Sequence, residues 1–211
     1  MLFRNNHSFL KYIYPSLIWN IFTRQKRIYL TFDDGPTPGV TDKVLDILKQ
    51  FGAKATFFCL GRNVEKHTDL YNKILHEGHA VGNHTYSHLK GWYSKNKIYF
   101  DDISLASHYV KSKLFRPPYG MIKTSQLRRL KKHYNIVMWD VMSYDFDSRI
   151  SEEECYRLVS TQYKKGSIIV FHDSSKCWKK LFYVLPRFLE KLSEEGYKFS
   201  SIEIPHVEQN Q

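Results

Sequence analysis

Two adjacent carboxylates at the end of an apolar run are the first residues of this chain that could do chemistry. They lie in Thr31-Phe32-Asp33-Asp34-Gly35-Pro36, after residues 28–32 (Ile-Tyr-Leu-Thr-Phe). That run reads as a buried β-strand, and Gly-Pro ends it. Neighbouring side chains on an extended backbone point in different directions. One carboxylate could therefore bind a cation while the other works beside it as a base. Two like charges so close are costly unless a metal or an arginine compensates them. A polar turn closing a strand uses the same residue types, so the rest of the chain has to decide.

His84-Thr85-Tyr86-Ser87-His88 places two imidazoles four residues apart, one turn if the segment is helical. It differs from the zinc-protease pattern HExxH, because Thr85 stands where that motif has its glutamate base. Two histidines plus one carboxylate, with positions left for water, form a familiar catalytic zinc set. Asp33 is then the candidate base. Arg116-Pro117-Pro118-Tyr119-Gly120 sets an arginine before a stiff loop, where its fork can pair with a carboxylate. Trp139-Asp140 and Tyr144-Asp145-Phe146 offer two aspartates, either of which could orient a histidine. Ile169-Val170-Phe171-His172-Asp173 ends a further apolar run with a histidine able to act as an acid.

The elements that must position these residues alternate. Strand-like runs are expected at 28–32, 54–60, 80–83, 114–116, 136–140, 167–171 and 197–202. Gly61 is expected simply to stop the second. Between them, helical periodicity covers 40–51, 68–77, 98–111, 123–133, 152–165 and 180–195. Thr68 is expected to cap one helix and Ser151, in a capping box with Glu154, another. Repeated βα units imply a parallel sheet. Asp33, Asp34, His84, Arg116, Asp145 and His172 all fall at C-terminal strand ends, the active face of a barrel.

Together, TFDDGP, HTYSH, RPPYG and the two later segments resemble the motifs of the polysaccharide deacetylases, the family 4 carbohydrate esterases with the NodB-homology domain. The resemblance runs from about Ile28 to Ile204. It implies an α/β fold, a distorted (β/α) barrel of about seven parallel strands. It also implies metal-dependent hydrolysis of an acetyl group, N-acetyl first, from an acetylated sugar or polysaccharide through a metal-bound water. Carried over residue by residue, the resemblance makes Asp34, His84 and His88 the metal ligands. Asp33 becomes the base, Arg116 its holder, His172 the acid and Asp145 the partner that orients it. Tyr119 stands where the family uses a backbone N–H on the oxyanion. Zn2+ is the expected cation, with Co2+ or Mn2+ as alternatives. The fourth motif departs from the family's DxxDW, with Met142 at the first aspartate and Phe146 at the tryptophan. In the fifth, Val170 replaces a leucine. Phe146 and Val170 are expected to wall the acetyl methyl. The alternative is a non-catalytic glycan-binding module on the same fold.

At 211 residues, with 42% hydrophobic content and 16% aromatics, the chain suits one domain with a sizeable core. A formal charge of +11 predicts attraction to anionic partners. Its basic residues are scattered and accompany no nucleic-acid module, so an acetylated glycan or glycolipid is the expected substrate, with no nucleic acid. Cys59, Cys155 and Cys177 are odd in number and form no CxxC pair, so neither a zinc ribbon nor a disulfide framework is expected. Residues 1–27 are read as an aromatic and basic segment, 28–205 as the catalytic domain and 206–211 as a tail. The first segment either packs on the domain or touches an anionic membrane through Tyr12, Tyr14, Trp19 and Phe22. It makes a poor secretory signal peptide, so the expectation is a cytoplasmic location, at most peripheral on the inner membrane face; a monomer is also expected.

Overall fold

The computed structural model describes residues 11, 12 and 14–204. Residues 1–10 and 13 of the expected N-terminal segment, and the tail at 206–211, lie outside the described residues. Seven strands run parallel: β1 (Arg27–Asp33), β2 (Ala55–Cys59), β3 (Ala80–Asn83), β4 (Leu114–Phe115), β5 (Asn135–Ile136), β6 (Val141–Met142) and β7 (Ile168–His172). Their order is β5-β4-β3-β2-β1-β7-β6, curled into a distorted half-barrel. The short β8 (Lys198–Phe199) pairs with the start of β1. Around the sheet lie α1 (Thr41–Gln50), α2 (Gly61–Lys66), α3 (Thr68–His76), α4 (Asn96–Tyr109), α5 (Thr124–Leu130), α6 (Glu152–Gln162) and α7 (Trp178–Glu194). Among the described residues, no helix is long and apolar enough to cross a membrane.

Strand alternation sorts the side chains into two cores. Leu30, Phe32, Phe57, Ile169 and Phe171 pack outward against Val44, Leu48, Leu181, Leu185 and Phe188 of the helices. Phe32 stacks on Phe57 with ring centroids 5.0 Å apart. Each such side chain contributes about 1.5–3 kcal/mol by leaving water. The alternate residues face the barrel interior, where Tyr29, Phe58, Phe115 and Val170 pack with Leu17, Trp19 and Trp139. Because Phe32 and Phe171 face outward, Asp33 and His172 face inward.

The segment before β1 fills the base of the opening in the sheet. Ile18 bridges Val137 and Asn20 bridges Ser167, while Leu17 and Trp19 are buried. Trp19 Nε1–H donates to Tyr14 O at 3.0 Å. Of the four aromatics expected to reach a membrane, Trp19 therefore faces the core, while Tyr12 and Phe22 are exposed.

Three local expectations are corrected. Gly61 does not merely stop β2; it opens α2, and an added Cβ there would lie 2.8 Å from Ala106 Cα. Thr68 does not cap α3, since its hydroxyl donates back to Val64 O at 3.0 Å. The run at 136–140 is not one strand. β5 ends at Ile136 and β6 begins only at Val141, and between them the carbonyls of Val137 and Met138 accept from the guanidinium of Arg116. Ser151 does cap α6, accepting from Glu154 N–H.

His79, between α3 and β3, is buried and accepts the Ala55 N–H on Nδ1 at 3.1 Å. Burial, helped by Lys54, lowers it from 6.5 to about 4, so the folded protein keeps it neutral. The unfolded chain takes up this proton near 6.5. This part of the stability is thus present above pH 6.5 and lost as pH falls to about 4. In urea unfolding, the midpoint is expected to drop across that window, and to drop less in His79→Gln; equal drops would remove His79 as the cause.

Candidate active site

The expected site residues gather at the C-terminal ends of the strands. Asp33 ends β1 and Asp34 follows it; His84 follows β3, Arg116 follows β4, Asp145 lies in the loop after β6, and His172 ends β7. The C-terminal ends of parallel strands point the same way, so a curled sheet delivers these residues to one mouth.

Arg116 is fully buried. Its Nη1 donates to Asp33 Oδ1 at 2.6 Å and to Thr31 Oγ1 at 2.8 Å. Nε donates to Val137 O and Nη2 to Met138 O. The planar group also lies over the Phe58 ring, 4.1 Å from its centroid. Burial lowers Arg116 below the ordinary guanidinium value, and the Asp33 carboxylate opposes that shift. The free oxygen of Asp33, Oδ2, lies 4.0 Å from His84 Nε2.

Asp34, His84 and His88 bring three potential ligand atoms together. Asp34 Oδ1 lies 3.7 Å from His84 Nε2 and 3.2 Å from His88 Nε2. It is buried and accepts no hydrogen bond. His84 Nδ1–H donates to Arg116 O at 2.8 Å, which leaves the Nε2 lone pair facing Asp34. Burial first, then His88, lowers His84 to about 3, so the ring is neutral. His88 is lowered too, chiefly by burial. An orphaned buried carboxylate oxygen facing two neutral imidazoles fits a divalent cation of the zinc class.

The segment 84–88 is not a helical turn. Thr85 and His88 both take positive φ, 66° and 67°, and the rings approach to 5.1 Å. Asn83 Oδ1 accepts the Thr85 N–H, and Asp102 accepts the N–H groups of Tyr86 and Ser87. Asp34, Tyr119 and Tyr144 also have positive φ. These five are the non-glycine residues of that kind among the described residues, and each lies in a loop that carries the site. Such conformations cost on the order of 1–3 kcal/mol each and persist where the surroundings enforce them.

Of the two candidate aspartates, Asp145 meets a histidine. Its Oδ1 accepts from His172 Nδ1–H at 2.7 Å, and its Oδ2 from the His172 backbone N–H at 2.7 Å. Asp140 instead accepts from Ser167 and Ile168 at the other end of β7. Burial opposes the charge on His172, but Asp145, with Asp34 and Asp33, raises it to about 9. Phe146 is half exposed, its ring edge-on to His172 at 5.1 Å. Tyr119 is also half exposed, its ring 4.6 Å from that of His88. Its turn is closed by the amides of Gly120 and Met121. Val170 is fully buried on the inward face of β7 and lies below the open mouth.

Sequence reading missed Asn63, Asp102 and Asp173. Asn63 Nδ2–H donates to Asp34 O at 2.7 Å, and Asp173 Oδ1 accepts the Gly35 N–H at 3.0 Å. Burial raises Asp173 to about 7 despite the Thr41 hydroxyl bonded to it.

Residues 21–137 match the pattern of the polysaccharide deacetylase family. A peptidoglycan-N-acetylglucosamine deacetylase of Bacillus cereus is 34% identical over 87% of this chain and 90% of its own length. The crystal structure of the Bc1960 peptidoglycan N-acetylglucosamine deacetylase superposes with a TM-score of 0.81 at 29% identity, covering 91% of this chain and 94% of that one. A mutant of BA3943, described as a CE4 family pseudoenzyme with restored activity, superposes at 0.77 with 26% identity, covering 89% of this chain and 70% of that one.

Replacing Asp145 by Asn leaves burial less opposed at His172. The imidazole titration, followed by NMR, is expected to fall from about 9 toward or below its ordinary 6.5. An unmoved titration would mean that the pair does not hold the proton.

Proposed function

Because the chain belongs to the polysaccharide deacetylase family, we propose that it hydrolyses N-acetyl groups from sugar residues of an acetylated glycan, using a bound zinc ion. The observation that carries this reading is the convergence of an orphaned Asp34 oxygen with two neutral imidazoles, flanked by the Asp33–Arg116 and His172–Asp145 pairs. Asp34, His84 and His88 would hold the cation. Zinc supplies Lewis acidity and a water acidic enough to ionise near neutral pH.

The chain's own groups do the rest. Asp33, held by Arg116 and aimed at the cation site, takes the proton of the attacking water. The Tyr119 N–H donates to the acyl oxygen as negative charge develops there, a contribution of about 3–4 kcal/mol for a well-placed donor. His172, its Nδ1 fixed by Asp145, presents Nε2 and gives a proton to the departing nitrogen. An amine leaves poorly unless protonated, so the amide reaction needs this acid. Phe146 packs against the His172 ring and offers the methyl an apolar contact.

We further propose that the glycan is acidic. The net charge of +11 supports this, as does Lys90, which is exposed and lies over the Tyr119 ring, 4.6 Å from its centroid. That places a cation beside the mouth, one ring away from His88.

In Asp33→Asn, zinc content is expected to persist while turnover of an acetylated oligosaccharide drops about a hundredfold or more. In His84→Ala, the zinc itself is lost. Near-normal turnover by zinc-free His84→Ala would sink the mechanism, and no turnover by the zinc-loaded protein on any glycan would favour a binding module. In Lys90→Gln, the ratio of kcat/KM for a carboxylate-bearing oligosaccharide to that for a neutral one is expected to fall severalfold. A constant ratio would remove Lys90 from substrate choice.

A further inference from the structure

Asp173 is a fully buried carboxylate that touches none of the reacting groups assigned above. Its bonds all run to the turn that carries Asp34. Its backbone N–H donates to Asp33 O at 3.1 Å. Its Oδ1 accepts the Gly35 N–H at 3.0 Å. Its Oδ2 accepts the Thr41 hydroxyl at 2.6 Å, and that hydroxyl accepts the Thr37 N–H at 2.7 Å. One residue thus grips the chain immediately before and after Asp34, and by relay two residues further on. The approach is close enough that a Cβ on Gly35 would fall 2.0 Å from Asp173 Oδ2.

Asp34 itself sits at φ 80°, a left-handed conformation that aspartate tolerates better than most residues but at a cost the surroundings must offset. From the other side Asn63 holds the Asp34 carbonyl and Leu60 N–H holds the Gly35 carbonyl. Backbone held at residues 33, 34, 35 and 37 leaves the Asp34 side chain little choice but to face His84 and His88. We infer that Asp173 is a positioning residue for the cation site: through Gly35 and Thr41 it fixes the left-handed backbone that presents the Asp34 carboxylate. The inference rests on the reading of Asp34, His84 and His88 as ligands. It adds that Asp173, directly after His172, locks the acid-bearing strand end to the ligand-bearing one.

The test is Zn2+ affinity, measured by competition with a chromogenic chelator on protein shown to be folded by circular dichroism. Asp173→Ala is expected to weaken Zn2+ binding about 10–100-fold, the range for groups that orient metal ligands. Asp173→Asn keeps an acceptor for Gly35 and is expected to recover most of that loss. Leu189→Ala, a core change in α7 away from the turn, is expected to lower stability and leave Zn2+ affinity near the unsubstituted value. Should Asp173→Ala fail to fold, Thr41→Val carries the test and is expected to weaken Zn2+ in the same direction. Affinity within about twofold of the unsubstituted protein in the folded variants, or an equal loss in Leu189→Ala, overturns the inference. No Zn2+ uptake by the unsubstituted protein is a different result, which overturns the ligand reading beneath it.

Discussion

A guanidinium with no access to water must find partners for its donors inside the protein, and much of this structure follows from how Arg116 does so. Two donors go to the carbonyls of Val137 and Met138, and one nitrogen serves both Thr31 and Asp33. Thr31 passes the tie on, its hydroxyl donating to Ile169 O. Four strands, β1, β4, β5 and β7, are thereby tied to one planar group. The backbone oxygen of Arg116 accepts from His84, so the same residue also sets the ring of a proposed ligand. Removing one partner of a buried ion pair typically costs about 3–5 kcal/mol, which makes this pair a poor place for drift.

The sheet and the loops divide the work. Strands β1, β2 and β7 are packed on both faces and carry little conformational choice. The loops after β1, β3, β4 and β6 hold five non-glycine residues in the left-handed region among the described residues, a conformational cost that the packed strands must offset. Asn63, Asn83, Asp102 and Asp173 are the braces that make this possible, each accepting or donating to loop backbone.

How far the sequence could be read follows from the range of the interactions. Asp33, His84, Arg116 and His172 were legible because each directly ends or follows an apolar run, a local pattern. Helices α1, α6 and α7 were legible for the same reason. The braces were not, because Asp173 matters only through Gly35 and Thr41, 138 and 132 residues away in sequence. The left-handed turn at 84–88 was hidden because His-x-x-x-His spacing is equally compatible with a helix. The end of β5 at Ile136 was hidden because the Val137 and Met138 carbonyls are taken by an arginine arriving from another strand. Helix α2, at six residues, is too short to show a period.

The buried thiols bear on which metals this fold can accept. Asp145, His172 and Cys177 also converge, and a soft cation such as Cu(I) prefers sulfur. Yet a thiol binds metal as thiolate, and burial lifts Cys177 to about 12. His172 Nδ1 is already committed to Asp145. Cys59, on β2, is held neutral by burial first and then by the negative charges of Asp173 and Asp33. A copper ion would have to expel the tightly held Cys177 proton to gain sulfur there. The nitrogen and oxygen donors proposed at Asp34, His84 and His88 carry no such cost, so the high thiol pKa disfavours sulfur ligation in this interior.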